Sequence, residues 1–492
     1  MKNAERSLIL VHPPSVSKRY LPTRFPPHGL AALYAGLSRR VLPVVQFDRL
    51  MDSLYSDADG LDVHGRDRNL PESEFREYLD TGQGPIRLTD FVDRHLAAVP
   101  GDGAIYAFSA VSYYQLHGAL LLASELLRRR PEVVIALGGP CVTVKPATYG
   151  ADFSLPLLWI KGCGIEPLSG LLRGDDPESL PGLLRFDKGL VRTNPPSRPP
   201  AENEPAPDFT GLDMEAYRYD HADFGPTIFL PYRLTKGCPS ACAFCSGRLV
   251  DPFSAKSKGK VAAELAELTA RYGSKAVMFT DASVNALPEV FLDVCRLLAR
   301  DLPGLRWYAY ARVHGFTDRM AEAAAAAGCF ALFFGVESAH PPTIRLLGKG
   351  FETPELFAAL DAASGAGIKG VAHLMYNTPH ETADDVSAFL RLVGRYDGNP
   401  LVEFMAQRFL LEPGTLMFAH PERYGLAKLR PMTTGFFDRT EYAYDLADGA
   451  SREALRERHA VNRHMLEPVL ARLEERIFSR DASGIRLTRE LM

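Results

Sequence analysis

The pattern of apolar and polar positions divides the chain into two series of strands and helices. In the first, RSLILVH (6–12), VVQFD (44–48), AIYAFSAVS (104–112), VVIALGGP (133–140) and LLWIKG (157–162) are short, nearly continuous apolar runs. That is the pattern of parallel strands covered on both faces. Between them HGLAALYAGLSRR (28–40), GALLLASELLRRR (118–130) and IEPLSGLL (165–172) carry helical periodicity, and the polar residues 50–102 read as a helical insertion. Alternating strand and helix predicts an α/β fold, a doubly wound Rossmann-like domain over residues 1–175.

The second series starts at 227. TIFLPYRLT (227–235), KAVMFTDA (275–282), RWYAYAR (306–312), FALFFGVES (330–338), GVAHLMYNT (370–378) and VEFMAQRFL (402–410) alternate with helical runs at 260–272, 287–300, 319–328, 355–367 and 383–396. Six such units predict a partial (β/α)6 barrel over residues 227–417, with its chemistry at the C-terminal ends of the strands. Residues 176–226 form the expected linker, an extended and semi-rigid spacer around the Pro-dense TNPPSRPPAENEPAP (193–207). Residues 418–492 form a C-terminal helical region. Its segment 451–480 mixes charges of both signs, the pattern of a solvated amphipathic helix, with a place over the barrel mouth as the alternative.

Composition changes this picture little. With 492 residues, 46% hydrophobic and 24% charged, the chain fits a soluble enzyme of several domains. A net charge of −4 gives no electrostatic case for nucleic acid or an anionic membrane as partner. No apolar run approaches the ~20 residues of a membrane-spanning helix, and the first run is too short for a signal peptide. Seven unevenly placed cysteines do not make a disulfide framework, so the cytoplasm is the expected compartment.

One stretch does change the picture. RLTKGCPSACAFCSGR (233–248) follows the first barrel strand and sets Cys238, Cys242 and Cys245 at spacings of four and three. The bland alternative is one buried helix face with cysteines as small hydrophobes. Gly237 and Pro239 break a helix there, and no apolar periodicity continues past the loop. Three thiolates on one loop are a soft-metal set with one position unfilled. Structural zinc would want a fourth ligand close by; a cubane cluster with its fourth iron open fits better.

This loop resembles the signature of the radical S-adenosylmethionine (SAM) superfamily, CxxxCxxC with an aromatic, here Phe244, before the last cysteine. The first domain resembles the cobalamin-binding domain of one radical SAM subclass. The matching pieces are HPP after the first strand, PPHGLAALYAGL, the FS of strand three, LGGPCVT and KGCGIEPLSGLL. The resemblance implies a cobalamin-binding edge made by Phe108, Ser109, Gly138, Gly139, Pro140, Gly162 and Gly164. It departs at Cys141, where the family commonly has His, and at Gly162-Cys163-Gly164-Ile165, where the family has GEGE. With no DxHxxG motif in the chain, no histidine is expected below cobalt.

In the barrel the resemblance implies SAM contacts from Phe244, Asp281 in FTDAS, Arg312, Glu337 and Ser338 in GVESA, and Asn377. TPHET (378–382) matches the family's PGET, with His380 for Gly. Asp281 and Glu381 read equally well as caps or rim ion-pair residues. Lys349 in LLGKGF matches too, but reads as a solvated lysine. The family's chemistry would use a 4Fe-4S cluster, SAM and cobalamin, and an electron donor such as flavodoxin or ferredoxin. SAM would be cleaved to methionine and a 5′-deoxyadenosyl radical, and an unactivated carbon of a small-molecule or peptide substrate in specialised metabolism would be methylated. The alternatives are cyclisation, ring contraction or rearrangement without methyl transfer, and a non-catalytic iron–sulfur protein.

Overall fold

The computed structural model describes residues 7–16, 25–37, 45–46, 70–144, 155–187, 190–221, 224–247, 250–432 and 442–478. They form two compact units, one drawn from the residues up to 199 and 203–218, the other from 200–202 and the residues from 219 onward.

The first unit is built on strands β1 (Leu8–His12), β2 (Val45–Gln46), β3 (Ile105–Ser109), β4 (Val134–Gly138), β5 (Leu157–Ile160), β6 (Leu183–Asp187) and β7 (Leu190–Thr193). Their order is β2-β1-β3-β4-β5-β6-β7, with β1 to β5 parallel and β6 and β7 antiparallel at the edge. Every residue of β1 and β3 is buried, as continuous apolar runs require. Helices Glu72–Thr81 and Ile86–Ala97 supply the insertion expected at 50–102. Residues 50–69, and 44, 47 and 48 of the expected second strand, lie outside the described residues. The helix expected at 118–130 starts earlier, spanning Tyr113–Arg129. The Ser112 side chain accepts from the Gln115 backbone and the Gln115 side chain returns the bond, a capping box that outweighs the weak apolar periodicity of 113–117.

The linker expectation needs correction. Residues 183–187 and 190–193 are not spacer; they pair antiparallel as β6 and β7. The Pro-dense segment after it lies along the same unit: the Pro195 carbonyl accepts from Gly182 N at 3.1 Å and the Ser197 carbonyl from Cys163 N at 3.1 Å. Proline removes a donor but keeps its carbonyl, so an extended Pro-rich segment can still cap orphan N–H groups.

The second unit begins with a hairpin of β8 (Tyr219–His221) and β9 (Gly225–Thr227). Its main sheet joins β10 (Phe229–Tyr232), β13 (Ala276–Phe279), β14 (Arg306–Ala311), β15 (Cys329–Glu337), β16 (Lys369–Tyr376) and β17 (Val402–Arg408), in that order and all parallel. Helices Lys258–Tyr272, Pro288–Asp301, Asp318–Ala326, Thr353–Gly365 and Ala383–Arg395 fall between the strands as their periodicity predicts. The expected strand 227–235 is broken into pieces: β10 sits at the sheet edge, where Pro231 loses no ladder bond that the sheet needs. A two-residue ladder of β11 (Thr235–Lys236) with β12 (Ser254–Ala255) follows. Alternation along β14 sends Trp307 toward Phe279 and Phe291, while Tyr308 and Tyr310 meet Phe333 on the opposite face.

The C-terminal region is not only helical. Strands β18 (Leu426–Pro431) and β19 (Tyr442–Leu446) pair antiparallel before the helix Arg452–Phe478. That helix docks on the barrel: Asn462 Nδ2 donates to Glu381 Oε1 at 3.0 Å, and His459 Nε2 lies 3.3 Å from the Thr378 carbonyl. Among the described residues no helix is long and apolar enough to cross a membrane.

Candidate functional site

The cysteine loop is held at both ends. Before it, Thr235 and Lys236 pair with Ala255 and Ser254, and the buried Lys236 ammonium lies 3.4 Å from Asp251. Gly237 has φ 66°, and a Cβ there would stand 2.4 Å from the Asp251 carbonyl, so only glycine passes this point. Across the loop, Ala243 N donates to the Leu347 carbonyl at 2.9 Å and Met417 N to the Ala243 carbonyl at 2.8 Å. Phe244 packs against the buried cluster that includes Ala243 and Leu347, with the Lys349 ammonium 5.7 Å from its ring centre.

The thiols influence one another. Burial raises Cys242, with the Lys349 charge opposing and Cys238 adding to the rise. Desolvation likewise raises Cys245, and both Cys242 and Cys238 push it in the same direction. Among the described residues no three His, Cys, Asp or Glu side chains converge as the ligands of a single ion would. A cubane binds each cysteine through a different iron, so its thiols need not converge on one point, and three thiolates on a rigid loop fit it.

Asp281 is spent on the chain itself. Its buried carboxylate accepts from Leu234 N at 3.0 Å, Thr235 N at 2.6 Å and Thr235 Oγ1 at 2.6 Å. Burial raises its pKa, and these three donors work against the rise. The residue fixes the segment that feeds the cysteine loop, and these hydrogen bonds all go to that segment. Arg312 follows β14. Its backbone is clasped by Asn285, through N to Oδ1 and O from Nδ2, both at 2.9 Å. Among the described residues its guanidinium has no acidic partner, although it is only partly exposed.

Glu337 ends β15 in the left-handed region, at φ 66°, and its buried carboxylate faces the Lys349 ammonium at 3.2 Å. Burial raises Glu337, and Lys349 opposes that rise. Gly335 makes room for this pair: a Cβ there would lie 3.2 Å from both Glu337 Oε1 and Lys349 Nζ. The Lys349 side chain is 11% exposed, so it is an inner residue of the site and not the solvated lysine expected. The Gly-Lys-Gly setting was the signal, since the backbone around it turns through φ 68° at Gly348 and 72° at Gly350. Ser338 Oγ accepts from His340 N at 3.0 Å, a local turn bond. His373 on β16 stands against Tyr310 and Phe333 with its Nε2 buried and without a partner. Desolvation lowers it to about 4, with Lys349 adding to that effect, so the ring is neutral.

Asn377, at φ 60°, gives its N–H to Glu381 Oε2 at 2.5 Å and keeps a buried Oδ1 without a partner. His380 occupies the family's glycine position at φ 61°, the conformation glycine would adopt most cheaply. Its Nε2 lies 2.9 Å from the Tyr424 carbonyl, a contact glycine could not make.

In the first unit, Ser109 and Gly138 are register partners at the ends of β3 and β4, and Gly162 and Gly164 follow β5, the neighbour of β4. The details of this edge differ from the expectation. The Phe108 ring is 2% exposed and belongs to the core, leaving only its backbone near the edge. Gly139, at φ 101°, is demanded by the Ala110 carbonyl, which a Cβ would approach to 2.5 Å. Gly162 has φ 86°, and a Cβ there would come within 3.0 Å of Pro196 and of the Ser197 carbonyl. At Gly138 a Cβ would meet only the Ile160 carbonyl, at 3.5 Å. Pro140 opens the short helix Pro140–Val144, and Cys141 beside it is buried.

The Radical SAM superfamily profile matches residues 232–393. Over 293 residues the chain is 28% identical to "Uncharacterized methyltransferase PH0819" of Pyrococcus horikoshii, covering 57% of this chain and 62% of that protein. Over 126 residues it is 29% identical to the bacteriochlorophyllide d C-12(1)-methyltransferase of Chlorobaculum tepidum, 25% of this chain and 27% of that one. The alignments thus span less than two thirds of either relative's length. Among solved structures, the radical SAM methyltransferase TsrM of Kitasatospora setae, with cobalamin and a 4Fe-4S cluster bound, superposes with TM-score 0.64 at 16% identity, over 95% of this chain and 89% of that one. OxsB, a cobalamin-dependent SAM radical enzyme with aqua-cobalamin bound, gives 0.65 at 14%, over 90% and 64%. At such identities the likeness is one of fold. The chain therefore carries a radical SAM domain at residues 232–393, within the fold that the cobalamin-dependent radical SAM enzymes TsrM and OxsB also adopt.

Proposed function

We propose that the protein is a cobalamin-dependent radical SAM enzyme that methylates an unactivated carbon of a small-molecule or peptide substrate. The observation that carries this reading is the clamped loop with Cys238, Cys242 and Cys245, which follows one strand of the barrel at whose other strand ends stand Arg312 and Glu337. When bound, the cluster supplies the electron that cleaves SAM to methionine and a 5′-deoxyadenosyl radical, and cobalamin supplies methyl-carrying chemistry.

The chain's own residues hold and orient. The three cysteines would bind three irons and leave the fourth to the amino and carboxylate groups of SAM. Arg312 is the charge-assisted partner for that carboxylate. Glu337, set by its left-handed backbone and by Lys349, is an acceptor for the ribose or the amino group, with Ser338 beside it in sequence. Asn377 brings an unmatched acceptor for the adenine or ribose, and Phe244 supplies an apolar wall. The Lys349 ammonium is felt at Cys242 and Cys245, and it offsets the negative charge that three thiolates bring. The edge made by Ser109, Gly138, Gly162 and Gly164 is the place for cobalamin, as backbone and not as a metal ligand.

The methyl-transfer reading draws on the names of the two relatives and of TsrM. The test is product analysis of anaerobically reconstituted, cobalamin-supplied protein turning over with reductant. Methyl transfer should give S-adenosylhomocysteine beside 5′-deoxyadenosine. 5′-Deoxyadenosine alone would turn the reading toward rearrangement, and neither product would remove it.

A further inference from the structure

A cavity in the second unit shares only Asn377 with the SAM contacts proposed above. It is a partly open cleft whose empty space of about 540 Å³ includes open solvent. It sits at the barrel's C-terminal rim, between Asn377 after β16, Arg408 at the end of β17, the β19 strand and the helix Arg452–Phe478. That helix presents Arg452, Leu455, Arg456 and His459 to it, the i, i+3, i+4, i+7 set of one helical face. The alternating charges that read as a solvated surface thus include an inward cationic stripe.

The lining divides by chemistry. Phe409, Leu411, Tyr442 and Leu455 give an apolar floor. Arg408, Arg452 and Arg456 give a cationic rim, and among the described residues no carboxylate belongs to the lining. Two acids on elements that border it are already engaged. Glu381 accepts from Asn377 N and Asn462, and Asp445 accepts from Arg430 and from the Arg452 backbone. Among the described residues the Arg452 and Arg456 guanidinium groups have no acidic partner. Next to the rim, Arg458 has Nε and Nη2 buried without partners. The positive field reaches His459, which desolvation, Arg458 and Arg408 together lower to about 4. That ring is neutral, so it adds a polar group without competing for the anion. Arg452, Arg456 and the buried edge of Arg458 thus set positive charge beside an apolar floor, where an organic anion gains charge-assisted bonds and apolar contact together.

We propose that this cavity binds an organic anion, an apolar skeleton bearing a carboxylate or phosphate group, and that it receives the acidic end of the substrate. The cavity's role as a substrate site rests on the radical SAM reading; anion binding does not.

The test is calorimetric titration of the full-length protein at low salt with 2-naphthoate, 2-naphthyl phosphate and the uncharged 2-naphthamide. At least one anion should bind about 10-fold or more tightly than the amide. The tighter of the two identifies the oxyanion. The double variant Arg452→Gln/Arg456→Gln should lose about 10-fold or more for that anion and leave the amide unchanged. Arg408→Gln, on a different element, should move in the same direction, while Arg430→Gln, outside the lining, should not. Cys242→Ala should bind the anion like the parent protein, which separates this result from any failure of the cluster reading. Equal binding of amide and anions, or anion affinity unchanged in both the double variant and Arg408→Gln, would overturn the proposal.

Discussion

The two units place their candidate residues alike, after parallel strands, and use them differently. In the first unit the special positions are glycines, and the chain consumes two of them. Gly139 is filled against Ala110 and Gly162 against the Pro196–Ser197 segment. In the second unit the special positions are polar, and the chain leaves several unmatched: the Arg312 guanidinium, His373 Nε2 and Asn377 Oδ1. Backbone-made edges therefore satisfy themselves first and offer a ligand only shape. Side-chain sites stay incomplete until a ligand arrives, which is why their chemistry can be read directly.

The largest effect expected from this contrast belongs to a residue that only looks like a ligand. Asp281→Ala would strand the buried Leu234 and Thr235 N–H groups and should cost the second unit about 4 kcal/mol. Chemical denaturation measures it, and a loss below about 1 kcal/mol would return Asp281 to the cofactor contacts. Next in size is Gly139→Ala, which meets both a positive φ and the Ala110 backbone and should destabilise the first unit by about 2–3 kcal/mol. Gly138→Ala, with open space around its Cβ, is the control. It should leave stability within about 0.5 kcal/mol while weakening corrin binding, seen in the absorption spectrum after cobalamin supply. Unchanged cobalamin uptake would mean that the edge at Gly138 is not the contact.

Smaller in stability but selective in binding is Arg312→Ala. With no acidic partner to lose among the described residues, it should unfold like the parent to within about 0.5 kcal/mol. SAM affinity, titrated against the cluster's spectroscopic signal, should fall by about 10- to 100-fold, the loss of one charge-assisted contact. Unchanged affinity with lowered stability would reverse the contrast between the units.

Much of this architecture was legible. Continuous apolar runs marked the buried parallel strands, and the helical periods between them fixed the alternation. The hairpins were not, because β6–β7 and β18–β19 are short and mixed in polarity, and antiparallel edges leave little periodic trace. The Pro-rich segment read as spacer because sequence shows its missing donors and not where its carbonyls find partners. In the site, residue type announced the thiols and Arg312. It could not separate Asp281, which binds its own backbone, from Glu337, which is held toward Lys349. Lys349 and the cationic face of the last helix were missed for one reason: charged residues are exposed by default, and only packing shows which ones turn inward.

The central claim is that the loop of Cys238, Cys242 and Cys245 holds a site-differentiated cubane for SAM. The most direct measurement is iron and sulfide content, with the electron paramagnetic resonance spectrum of the reduced, anaerobically reconstituted protein before and after SAM. The expected result is one 4Fe-4S cluster whose signal changes when SAM is added, and its loss in Cys242→Ala. Full iron content and an unaltered spectrum in that variant, or a parent signal that ignores SAM, would contradict the account.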